Sequence, residues 1–295
     1  MSTANTPSAT AAQRQPVYYL SHGGGPWPFM NGPFRDIFAV MEKSLQDLPY
    51  QLPEAPRAIL IISSHWEADV FSVSASPQPP MIYDYFGFPD ALYRIQYPAP
   101  GHPELAHQVA SLLQDAGWDV DIDPHRGYDH ATYSLLKPIY PEANIPVVQL
   151  SMRVGFDPAE HIAVGRALSP LRDQGILILG SGQSFHNLRE RGKQSLPASE
   201  MFDLWLRQSL LNRSAEERSA ALVNWEKAPY ARLAHPQEDH LIPLMVAAGA
   251  AGDDHAVCVF GDYVANFATS AYRFGGDTAT SPYDVLQLHT RQGSA

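Results

Sequence analysis

Three of the chain's twelve histidines stand where an aliphatic run gives way to a polar or glycine-rich turn. Residues 17–20 lead into Ser21-His22-Gly23-Gly24-Gly25-Pro26, residues 58–63 into Ser64-His65-Trp66-Glu67, and residues 176–179 into Gly180-Ser181-Gly182-Gln183-Ser184-Phe185-His186-Asn187. Imidazole is a borderline ligand for iron, zinc and similar divalent ions, and strands would hold it on a rigid frame. One histidine in such a place is more often a hydrogen-bonded turn residue; three at matching positions point to a metal site. Two further segments keep unusual company. Gly127-Tyr128-Asp129-His130-Ala131 sets a carboxylate beside an imidazole, an arrangement suited to proton transfer, although Asp129 serves equally well as the cap of a following helix. In His235-Pro236-Gln237-Glu238-Asp239-His240 the two histidines are five apart and would diverge on a regular helix, so one ion is not expected to take both. His240, which begins an apolar helical run, is the better ligand candidate, with Glu238 and Asp239 as carboxylate ligands or as partners that orient an imidazole. The glycines after His22 lack both the lysine of a phosphate loop and the GxGxxG spacing, so they are read as room for backbone and substrate to approach a metal. His102, His107, His125, His161, His255 and His289 lie in polar surroundings and are expected at the surface.

For these side chains to converge they need a common frame. Aliphatic or β-branched runs at 17–20, 58–63, 71–74, 147–151, 176–179 and 256–260 read as strands, and helical spacing recurs at 103–116, 158–173, 198–211, 215–227 and 239–248. That alternation predicts an α/β fold, a single domain with a central mixed, largely parallel sheet flanked by helices and the metal site at the strand ends. Parallel neighbouring strands would bring His22, His65 and His186 to one sheet edge. The segment 76–101, rich in proline and aromatic residues, is too aromatic for a linker and either walls a pocket or covers the sheet edge. A disordered leader is expected at 1–16, the catalytic domain at 17–275 and a tail at 276–295.

The bulk properties narrow the function classes. A formal net charge of -11 argues against nucleic-acid or anionic-membrane partners and for small-molecule chemistry. No run approaches the ~20 apolar residues of a membrane span. The single cysteine, Cys258, lies in an apolar strand-like run, cannot form an intramolecular disulfide and suits a reducing, cytoplasmic compartment. A homo-oligomer is compatible with the sequence, which carries no signal for or against it.

Taken together, Ser21-His22-Gly23-Gly24-Gly25-Pro26, Ser63-Ser64-His65-Trp66, Phe88-Pro89-Asp90-Ala91-Leu92-Tyr93, Tyr97-Pro98-Ala99-Pro100-Gly101, Gly127-Tyr128-Asp129-His130, Pro146-Val147-Val148-Gln149-Leu150-Ser151, Gly180-Ser181-Gly182, His186-Asn187-Leu188 and the His240 segment resemble the 4,5-DOPA extradiol dioxygenase family. That family belongs to the class III, LigB-type extradiol ring-cleavage dioxygenases, and the motifs run in order from Val17 to Tyr263. The resemblance implies that His22, His65 and His240 are metal ligands, that His186 is a fourth ligand or an acid/base, and that His130 is a second active-site histidine. Related class III enzymes use two histidines and a glutamate, which leaves Glu238 and His240 as alternatives for the third ligand. Ala131 stands where the family usually has glycine, and the His22 loop carries an additional glycine.

The resemblance further implies one non-haem divalent metal ion, Fe(II) for activity with Zn(II) as another occupant, and a catechol-type substrate cleaved with O2. His186 and His130 would then handle the phenolic proton and the acid needed for O–O cleavage. Two other classes of function use the same residues: a zinc hydrolase with a metal-activated water, and a non-catalytic metal-binding or interaction protein on the same scaffold.

Overall fold

The computed structural model describes residues 13–189 and 195–286. Among these, eight strands form one sheet: β1 (Val17–Ser21), β2 (Ala58–Ala68), β3 (Phe71–Ser74), β4 (Val120–Asp123), β5 (Val147–Arg153), β6 (Ile176–Gly182), β7 (Ala256–Val264) and β8 (Phe267–Phe274). Their order is β4-β3-β5-β2-β6-β1-β8-β7. The centre is parallel, with β2 between β5 and β6 and β1 beside β6, while β8 runs antiparallel to β1 and β7, and β3 antiparallel to β5. The fold is thus a single α/β domain on a mixed, mostly parallel sheet.

The aliphatic runs are continuous because both faces of the central strands are covered. Along β1, Tyr19 faces one core layer with Leu60 and Ile178, while Tyr18 faces the other with Ile59, Ile61 and Leu179, as the two-residue strand period requires. Helices Pro158–Leu168 and Ile242–Ala251 pack in the first layer, and helices Ala39–Asp47 and His130–Ile139 in the second. Helix Ile242–Ala251 is buried on all sides, and a Cβ at Gly249 or Gly165 would strike the facing helix backbone.

Element ends differ from expectation where local chemistry intervenes. Helix 158–173 stops at Leu168 and continues as a 3-10 turn, Ser169–Gln174, because Pro170 has no N–H for the α-helical ladder. The run at 239–248 becomes helical only from Ile242, with Pro243 in its first turn, so His240 precedes the helix instead of beginning it. Strand β2 passes through His65 to Ala68, with a register break between Ile62 and Glu67, a bulge that re-aims the side chains there. Strands β4 and β8 lacked a clear signal: β4 is half aspartate, and β8 is interrupted by Ala, Thr and Ser. The β7–β8 hairpin turns on Ala265 and Asn266, both at positive φ.

Residues 1–12 of the expected leader and 287–295 of the expected tail, His289 included, lie outside the described residues. Gln15 is fully buried and its N–H donates to the Arg172 carbonyl at 3.1 Å. At the other end, Gly261 donates to Tyr283 O at 3.0 Å and accepts from the Val285 N–H at 2.8 Å, so packed chain extends past 275.

His161, expected at the surface, is fully buried. Its Nδ1 lies 2.7 Å from Asp157 O and its Nε2 accepts the Arg153 N–H at 3.2 Å, and the ring meets Phe71 edge-on. The helix pattern showed a polar residue there, but the two backbone bonds satisfy both ring nitrogens of a neutral imidazole. Burial lowers the His161 pKa from 6.5 to about 4. The fold therefore binds the neutral ring, and the unfolded chain takes up the proton first as pH falls. Stability from this group is complete above pH 6.5 and is lost on descent towards pH 4, by roughly 2 kcal/mol at pH 5. Urea unfolding at pH 7.5 and 5 should show a shallower pH dependence for His161→Gln than for the unsubstituted protein; equal slopes would exclude His161 as the source.

Candidate metal centre

The in-register pairs Ser21↔Gly182 and Ser63↔Ser181 put the ends of β1, β6 and β2 side by side. His22 follows β1 directly, His65 sits in the bulged end of β2, and His186 follows β6 by four residues. His240 arrives from the turn before helix Ile242–Ala251. Its carbonyl accepts from Tyr19 Oη at 2.8 Å and from the Gln183 N–H at 3.1 Å, and a Cβ on Gly182 would collide with it, so only glycine there admits the turn. His130 enters from the first turn of helix His130–Ile139, capped by Asp129 through the Thr132 N–H at 3.2 Å. Asp129 is fully buried, and its second oxygen accepts from Ser63 Oγ and Arg126 Nη2, both at 2.9 Å. The capping role thus belongs to Asp129 and the site position to its neighbour.

The five rings form one cluster. The His22 ring centroid lies 5.2 Å from those of His65, His130 and His240, and His65 is 4.1 Å from His130 and 5.0 Å from His240. His186 stacks on His240 at 3.4 Å. Two separate donor groups lie within it, His22 with His65 and His130, and His186 with Asp239 and His240, each with ligand atoms within 4.8 Å of one another.

Hydrogen bonds set which nitrogen of each ring is bare. Ser181 Oγ donates to Ala131 O at 2.5 Å and lies 3.3 Å from His22 Nδ1, so it accepts from that nitrogen and leaves His22 Nε2 as an acceptor with no partner. Asp84 Oδ2 lies 3.0 Å from His65 Nδ1, and Asp84 Oδ1 lies 2.9 Å from His130 Nδ1 and 3.0 Å from the His130 backbone N–H. A carboxylate only accepts, so both Nδ1 atoms carry protons, and in the neutral rings both Nε2 atoms are bare. His65 Nε2 then faces His240 Nε2 at 3.2 Å. Two nitrogens bound to one ion at ~2.1 Å are ~3.0–3.4 Å apart at octahedral or tetrahedral angles. A cation between them would relieve the repulsion of two lone pairs there, and His22 Nε2, buried beside these rings without a partner, is a further candidate donor. The donor set fits a divalent metal.

Charge is disfavoured on His22, His240 and His186 and favoured on His65. Burial, then the neighbouring imidazoles, push the pKa values of His22 and His240 well below the ordinary range, and burial lowers that of His186 to about 4. Burial also opposes charge on His65, but the Asp84 hydrogen bond and nearby carboxylates outweigh it and raise its pKa. Burial acts against ionised Asp84 too, yet the hydrogen bonds from His130 and His65 hold its carboxyl far below the usual carboxylate range. Asp239 Oδ2 lies 2.9 Å from His240 Nδ1, and burial raises the Asp239 pKa.

Glu238 turns away, to Arg232 at 2.5 Å. His235 is buried apart from the cluster, its Nε2 3.0 Å from Ser184 O and its pKa lowered to about 3 by burial. The aromatic segment covers the cluster on one side: Tyr85 lies 6.0 Å from His130, Phe88 packs on Tyr85 at 5.3 Å and on Phe34 at 5.8 Å. A Cβ at Gly25 would strike Phe88, which gives the His22 glycine run a packing reason. On the other side a cleft of about 360 Å³ is lined by His186, Asn187, Leu188, Arg189, Gln237 and Asp239, among others. A larger cleft of about 580 Å³, near Arg35, Tyr50 and Lys137, touches none of the five histidines. Asp84 was missed by the sequence reading; its one signal is a lone acid between Tyr83 and Tyr85 in an aromatic run.

Residues 16–276 match the family described as the catalytic LigB subunit of aromatic ring-opening dioxygenase. The chain is 44% identical over 203 residues to a 4,5-DOPA dioxygenase extradiol of Beta vulgaris, covering 68% of this chain and 75% of that protein. It is 35% identical over 244 residues to the 4,5-DOPA dioxygenase extradiol of Escherichia coli K12, covering 81% and 86%. The crystal structure of an uncharacterized Escherichia coli K12 protein, JW3007, superposes with a TM-score of 0.67 at 28% identity over 89% of this chain and all of that one.

Proposed function

The chain belongs to the LigB family of aromatic ring-opening dioxygenases, and from that premise we propose that it cleaves catechol-type rings in the extradiol sense, using one non-haem divalent metal. Membership implies a dioxygenase acting on a small aromatic molecule and O2. The observation that supports the metal assignment is the packing of the His22, His65 and His240 rings, with His22 Nε2 buried and unpartnered and His65 Nε2 3.2 Å from His240 Nε2. Fe(II) suits the reaction, and Zn(II) fits the same donors.

A ferrous ion held by His22, His65 and His240 would supply a redox-active centre through which electron density could pass from the ring to O2. The protein supplies position and protons. His130 offers Nε2 to a catechol hydroxyl while the Asp84 carboxylate, 2.9 Å from Nδ1, stabilises the imidazolium as the proton arrives. His186, neutral, stacked on His240 and facing the cleft, takes the other phenolic proton and returns it when the O–O bond breaks. Tyr85 and Phe88 wall the His130 side and limit water there. Among the described residues no helix is long and apolar enough to cross a membrane, and the buried free thiol of Cys258 supports a reducing, cytoplasmic location.

Turnover under ¹⁸O2 tests the reaction class. Both labelled atoms are expected in the ring-opened product. Product oxygen drawn from water alone would instead indicate metal-activated water acting as a hydrolase.

A further inference from the structure

One carboxylate serves two imidazoles at this site. Asp84 gives Oδ2 to His65 Nδ1 at 3.0 Å, and gives Oδ1 to His130 twice, at Nδ1 and at the backbone N–H. It is held from both directions along the chain. Before it, Ile82 donates its N–H to Tyr128 O at 2.7 Å and accepts from Tyr133 Oη at 3.2 Å. After it, Tyr85 Oη donates to Leu92 O and closes the aromatic segment on itself. The residue that orients the two rings is thus on the same short stretch as Tyr85, whose ring lies over His130.

We propose that Asp84 is a positioning residue that fixes the Nδ1–H tautomer of His65 and His130 together, and so ties order in the aromatic segment to metal binding at His65 and proton transfer at His130. The ligand part of this proposal rests on the metal reading above. Its chemistry is specific to a carboxylate. Two oxygens that can only accept compel both Nδ1 atoms to donate, which in the neutral rings leaves both Nε2 atoms bare. In Asp84→Asn one oxygen remains for His130, but the amide nitrogen can only donate and cannot receive the His65 Nδ1–H. His65 then favours the other tautomer, with a proton where the metal should bind.

The test is the Zn(II) affinity of metal-free protein, measured by competition with a chromophoric chelator for the unsubstituted chain, Asp84→Asn and Asp84→Glu. Loss of such a partner weakens metal binding ~10–100-fold; that loss is expected for Asp84→Asn, with partial recovery in Asp84→Glu. A folded Asp84→Asn protein that binds Zn(II) within about twofold of the original would overturn the proposal, because a merely structural role moves stability and not affinity. Should Asp84→Asn fail to fold, ¹⁵N spectra of the histidine rings in the unsubstituted Zn(II) protein decide the matter: Nδ1–H at both His65 and His130 supports it, and Nε2–H at His130 contradicts it. Protein that binds Zn(II) but takes up no oxygen with iron and any catechol leaves this comparison intact, which separates failure of the ring-opening reading from failure of this one.

Discussion

Replacing His22 or His65 with alanine is expected to yield folded protein that no longer retains metal and has lost activity well beyond the ~100-fold typical of outer ligand partners. Both rings contribute an Nε2 that no protein group satisfies productively: His22 Nε2 has no partner, and His65 Nε2 faces another lone pair at 3.2 Å. Their Nδ1 contacts are few, Ser181 for one and Asp84 for the other, and Ser181 keeps its bond to Ala131 O when His22 is removed. The stability cost should therefore be modest, of the order of 1 kcal/mol per lost hydrogen bond. Metal content after loading and gel filtration, read beside a thermal melt, checks both parts. A metal-replete His22→Ala protein would remove that residue from the ligand set.

The opposite pattern is expected for His130→Gln and His186→Gln. Each should keep its metal while turnover falls ~10²–10⁴-fold, the usual contribution of a positioned general acid or base. His130 is tied to Asp84 by two bonds and meets the site through its other nitrogen, and His186 lies against His240 on the cleft side. Metal analysis paired with single-turnover rates distinguishes the cases. Loss of metal from His186→Gln would make His186 a fourth ligand through the His186–Asp239–His240 donor group.

Much of this was legible in the residues because the parallel centre of the sheet leaves a strong trace. Strands β1, β2 and β6 open with continuous apolar runs, with His22, His65 and His186 at or shortly after their ends, and their adjacency brings those histidines together. Elements with mixed composition were harder to read: β4 alternates aspartate with aliphatic residues, and β8 carries small and polar residues on a fully covered strand. His161 was misread because its two partners are backbone groups of Asp157 and Arg153, and backbone acceptors and donors leave no mark in a sequence. Asp84 escaped for a related reason. Its meaning depends on a loop from 46 residues before His130 folding back on it, and no local spacing encodes that return. Glu238, beside Asp239 in sequence, pairs instead with Arg232 six residues before it, a local contact that ligand spacing alone does not reveal.

The most direct measurement of the central claim is oxygen uptake by protein purified anaerobically and loaded in parallel with Fe(II) or Zn(II), followed with a small panel of catechols and the visible absorbance of ring-opened product. Uptake is expected to depend on Fe(II), to be matched by a yellow product, and to be absent from the Zn(II) sample. No uptake with any catechol in fully Fe(II)-loaded protein would contradict the claim.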